Sequence, residues 1–64
     1  MSDTKFMLVV QQNPGDEMRR GFYYKELNAR ADANRFVLQG YHYIALYANG
    51  NDGQYMLVKR FERK

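Results

Sequence analysis

The sequence predicts a small α+β fold, an antiparallel sheet in β-β-α-β-β order with one helix packed on one face. Three observations predict it. Residues 6–10, 41–48 and 54–61 are runs rich in valine, isoleucine and aromatic side chains, which suit a pleated strand. Ala29, Ala33, Phe36 and Val37 recur at helical spacing and form one apolar stripe. The clusters Asn13-Pro14-Gly15-Asp16 and Asn49-Gly50-Asn51-Asp52-Gly53 punctuate the extended runs with residues that tolerate turns.

The first strand is expected over residues 5–12. It stops at Pro14-Gly15, where proline presets φ at the second turn position and glycine accepts a positive φ at the third, as a type II turn requires. Residues 22–27 carry Phe22, Tyr23 and Tyr24 followed by Lys25-Glu26-Leu27 and read as a return strand. The alternative is β-α-β-β, with this segment absorbed into a longer helix. Asn28 is a candidate N-cap, since its side-chain oxygen can accept a first-turn N–H. Gly40 is a natural C-terminal stop. Leu38 falls nearly opposite the apolar stripe. The polar start, residues 1–4, is expected to fray, and residues 1–64 are read as one small domain.

The last two strands carry apolar groups on both faces, whereas a half-buried antiparallel strand alternates apolar with polar. Ile44, Leu46, Met56 and Val58 form one face set. Tyr41, Tyr43, Ala45 and Tyr47, with Tyr55, Leu57 and Phe61, form the other. Aliphatic side chains fit under a short Ala/Phe/Val stripe, while a tyrosine hydroxyl needs a polar partner. The helix is therefore expected over the aliphatic set. The tyrosine face is left for water, a second subunit or a ligand, unless the loop of residues 13–20 or the termini cover it. Lys59 shares its parity, and Arg19 and Arg20 are expected at its rim.

A chain of 64 residues buries a modest core, and without cysteine it has no disulfide to reinforce it. Self-association is the remaining common remedy. The absence of cysteine suits a reducing compartment, and residues 1–10 lack a signal-peptide pattern, so a cytoplasmic protein is expected. The net charge of +3 is spread over doublets and single residues, as ordinary solubilising charge would be.

Catalytic chemistry finds few components. Ser2 and Thr4 are the only serine and threonine, and His42, the single histidine, has no evident partner. His42 shares the parity of Ile44 and reads as a histidine at the edge of the sheet. The Asn49–Gly53 segment is too short for an EF-hand loop and lacks its terminal glutamate. No metal, cofactor or enzymatic activity is expected.

A binding role remains. The candidate contact residues are Tyr41, Tyr43, Tyr47, Tyr55, Lys59, Phe61, Arg19 and Arg20, and the expected partner is first a second copy of the chain, in a homodimer or higher oligomer through the tyrosine face, and then a host protein. The alternative is single-stranded nucleic acid, which binds aromatic rings for stacking beside cations for phosphates. In size and composition the chain resembles the small cysteine-free accessory proteins of bacteriophages and mobile elements. That resemblance implies binding and inhibition of a host protein and carries no particular residue with it.

Overall fold

The computed structural model describes residues 5–50 and 53–62. The order is β1 (Phe6–Gln11), β2 (Arg19–Tyr23), α1 (Glu26–Leu38), β3 (Tyr43–Asn49) and β4 (Tyr55–Phe61). The four strands form one antiparallel sheet in the order β2-β1-β3-β4, with α1 against one face. This is the β-β-α-β-β arrangement expected from the sequence, and it excludes the β-α-β-β alternative. Residues 1–4, expected to fray, lie outside the described residues.

β1 and β2 are joined by the expected turn. The Asp16 amide donates to the Asn13 carbonyl at 3.0 Å, and Gly15 holds φ at +89°. The second strand lies earlier than expected, at Arg19–Tyr23 rather than residues 22–27. Pairing with β1 draws it there, with Val10 opposite Arg19 and Phe6 opposite Tyr23. The helix also begins early. Lys25, not Asn28, is the N-cap, and it makes no side-chain capping bond. Glu26 in the first turn favours that start, through the helix dipole and its ion pair with Arg30 one turn on, at 2.5 Å.

At its other end, α1 closes in a Schellman motif. The Gly40 amide donates to the Val37 carbonyl at 3.0 Å, and the Tyr41 amide donates to the Phe36 carbonyl at 3.1 Å. Gly40 holds φ at +82°, a region that costs other residues a clash at Cβ. The motif folds Tyr41 back onto Phe36, with ring centroids 4.5 Å apart.

The core lies between helix and sheet. Leu8 and Val10 of β1 and Ile44 and Leu46 of β3 are buried beneath Ala29 and Ala33. The two alanines let the helix axis approach the sheet closely, and Phe6, Tyr23, Phe36, Val37, Tyr41 and Phe61 close the margins. Leu38, off the apolar stripe, is 87% exposed. Among the described residues, no helix is long and apolar enough to cross a membrane.

Candidate functional site

The helix covers one face of the sheet and leaves the other open. Side chains alternate along a strand, so register assigns each residue to a face. Met7 and Val9 of β1 and Tyr43, Ala45 and Tyr47 of β3 point away from the helix, as does Phe22 of β2. The helix-side placement of Ile44 and Leu46 expected from the sequence is the one observed.

β4 departs from simple alternation. Lys59 pairs with Leu46, but Leu57 pairs with Tyr47, so Val58 is an extra residue that forms a bulge. Tyr55 and Leu57 therefore face the open side, whereas Lys59 and Phe61 lie on the helix side, opposite Leu46 and Ile44. This corrects the placement of Lys59 and Phe61 on the tyrosine face, and that of Val58 beneath the helix. Phe61 packs against the core, with the Lys59 ammonium 5.0 Å from its ring centroid. Arg60 takes the open-face position instead, its guanidinium 4.9 Å from the Tyr43 ring centroid.

Two further placements change. Tyr41 lies outside β3, because the Schellman motif turns its ring onto Phe36 and the core. Arg19 pairs with Val10 and so belongs to the helix side, while Arg20, opposite Val9, faces the open side. Of the eight candidate contact residues, Tyr43, Tyr47, Tyr55 and Arg20 share the open face. Met7, Val9, Phe22, Leu57 and Arg60 join them. The uninterrupted apolar run of β1 was the available sign of a central strand with apolar residues on both faces. Arg60 had no such sign, since the bulge that turns it is invisible to alternation.

Two rings meet across the open face. Phe22 and Tyr55 sit on opposite edge strands, three strand spacings or roughly 14 Å apart in a flat sheet. Their ring centroids are 6.4 Å apart, so the two side chains reach toward each other over the face. On this face the Tyr47 hydroxyl is hydrogen-bonded to Tyr43. That bond, reinforced by burial, raises its pKa above the usual tyrosine value. The two rings bracket Ala45, which is fully buried although it points away from the helix. Phe22 and Leu57 remain 54% and 53% exposed. The loop of residues 12–18 is exposed throughout.

Charge is unevenly distributed. None of the four strands contains Asp or Glu, while they carry Arg19, Arg20, Lys59 and Arg60. The helix carboxylates are paired on their own element, Glu26 with Arg30 and Asp32 with Arg35. Among the described residues, neither Arg20 nor Arg60 has a carboxylate partner. The open face is thus aromatic, apolar and cationic.

A polar hollow of about 460 Å³ lies at one end of the sheet, between the β1–β2 turn, residues 40–42 and the end of β4. His42 lines it beside Arg60 and Glu62. His42 precedes β3 rather than belonging to it, and its backbone N–H donates to the Gln11 and Gln12 carbonyls. Among the described residues, no group of three or more His, Asp or Glu could hold a metal ion. Residues 51 and 52 of the β3–β4 loop lie outside the described residues. No protein-family model, curated protein or solved structure matches the chain.

Proposed function

We propose that this protein is a non-enzymatic binding module that docks an acidic protein surface on the open face of its sheet. The observation that carries the reading is the make-up of that face. Aromatic and aliphatic groups sit beside Arg20 and Arg60, with no carboxylate on any strand. Tyrosine and arginine are the residues most often found as interface anchors, and the partly exposed Phe22 and Leu57 offer apolar area to bury.

The charge also selects among partners. Two identical cationic faces repel each other when opposed, so the face suits a different, acidic protein better than a second copy of this chain. Such a binder acts by occluding the surface it occupies. That is the mode of the small phage and mobile-element accessory proteins that the chain resembles in size and composition.

Single-stranded nucleic acid is the second reading, favoured by the same rings and cations. It has less support, because among the described residues the face offers Arg20 and Arg60 alone to phosphates, and Arg60 already lies over the Tyr43 ring. A gel-shift titration of labelled single-stranded DNA and RNA at low salt separates the two. No shift is expected. A shift that weakens linearly in log–log form with added salt favours nucleic acid.

A further inference from the structure

A smaller cavity opens on the other side of the sheet, between β2 and the C-terminal half of α1. Its floor is Leu8, Val10 and Gly21, its walls are Tyr23, Phe36 and Tyr41, and Arg19 and Arg20 line it from the edge strand. The sequence explains why it exists. Gly21 interrupts the helix-side row of β2 between Arg19 and Tyr23, directly opposite Leu8. Across the gap the helix buries only the methyl groups of Ala29 and Ala33. The Tyr23 ring leans back over Gly21 and takes part of that space, and the cavity is what remains beside it. A Cβ on Gly21 would lie 3.2 Å from the Tyr23 ring, so a side chain there requires that ring to give by a few tenths of an ångström.

The cavity measures about 140 Å³ and its lining is mostly apolar. An apolar protein cavity of about 150 Å³ holds one benzene molecule, so this one has room for a single ring. Its polar neighbours are not equivalent. The Tyr23 hydroxyl is engaged, donating to Asp32 at 2.5 Å, and the Asp32 charge is balanced by Arg35 at 3.2 Å. Arg19 lies on the helix side of β2 with no carboxylate partner among the described residues. It is the cation placed to meet a ligand's charge.

We propose that this cleft is a second binding site, separate from the open face, that takes one small aromatic carboxylate. The ring lies against Leu8, Val10 and Phe36, and the carboxylate accepts hydrogen bonds from the Arg19 guanidinium. Occupancy leaves Phe22, Tyr47 and Leu57 uncovered on the other face, so the two sites work without competing.

The test is an NMR titration of the intact protein with 3-phenylpropionate, 3-phenylpropanamide and 3-phenylpropylammonium. These probes share a ring and differ in charge. All three are expected to shift the Gly21 and Tyr41 amides and the Leu8 and Val10 methyls. The carboxylate should bind about two- to fivefold more tightly than the amide, as an exposed ion pair allows. Arg19→Gln should remove that advantage while the amide still binds. Three results overturn the proposal: no shifts at these residues with any probe, shifts confined to Phe22, Tyr43 and Leu57, or ammonium binding as tight as carboxylate binding. The open-face reading is tested with a protein partner and not with these probes, so failure of the cleft leaves it standing, and the reverse also holds.

Discussion

Tyr23 shows how one hydroxyl ties the sheet to the helix. Burial, then the hydrogen bond to Asp32 and that carboxylate's charge, push its pKa up to about 12. In the unfolded chain it returns to about 10. The unfolded state therefore releases this proton first, and stability falls as pH rises from about 10 to 12, while below pH 10 the contribution is complete. Tyr23→Phe should be less stable at neutral pH and lose less stability across that alkaline window. Urea midpoints measured at a series of pH values check this, and an unchanged slope contradicts it. Gly40 makes a purely conformational demand. Gly40→Ala should cost about 1–2 kcal/mol in denaturant melts, because alanine resists the left-handed region. Gly40→Asn should cost less, because asparagine enters that region more readily. Equal losses would point to a steric cause instead.

At the scale of elements, the helix stripe, the β1–β2 turn and the helix stop were legible because each rests on local chemistry. Ala29, Ala33, Phe36 and Val37 show their spacing directly, as do Pro14-Gly15 and Gly40. Faces were legible only while alternation ran unbroken. Ile44, Leu46, Tyr43 and Tyr47 fall on their expected sides, but a single inserted residue at Val58 reverses everything after it. No residue type marks that insertion, since Val58 is as good a strand former as its neighbours. Tyr41 was misplaced for another reason: the helix cap, not the strand, positions it. Deleting Val58 should leave a regular β4 with Phe61 still on the core and Arg60 still facing Tyr43. Cross-strand NOEs from Lys59 to Leu46 and from Leu57 to Tyr47 should persist. A variant in which Phe61 moves to the open face contradicts the bulge assignment.

For the whole molecule, the division of labour between the two faces carries the functional argument. Aliphatic side chains satisfy the helix, so what remains on the far side is a surface of rings and arginines that the chain itself only partly covers. How much of this was readable is physical too: a tyrosine-rich face can be inferred from periodicity, whereas its particular cations depend on register and the bulge. The central claim is that this face, and not the exposed outer side of α1, recognises an acidic protein. The most direct measurement takes a partner captured by the wild-type protein from its source cells and determines its affinity for three variants. Phe22→Ala/Leu57→Ala and Arg60→Glu should each weaken binding at least tenfold while Leu38→Ser binds as wild type, and added salt should weaken the wild-type complex. Loss of binding in Leu38→Ser with the open-face variants unaffected would contradict the account.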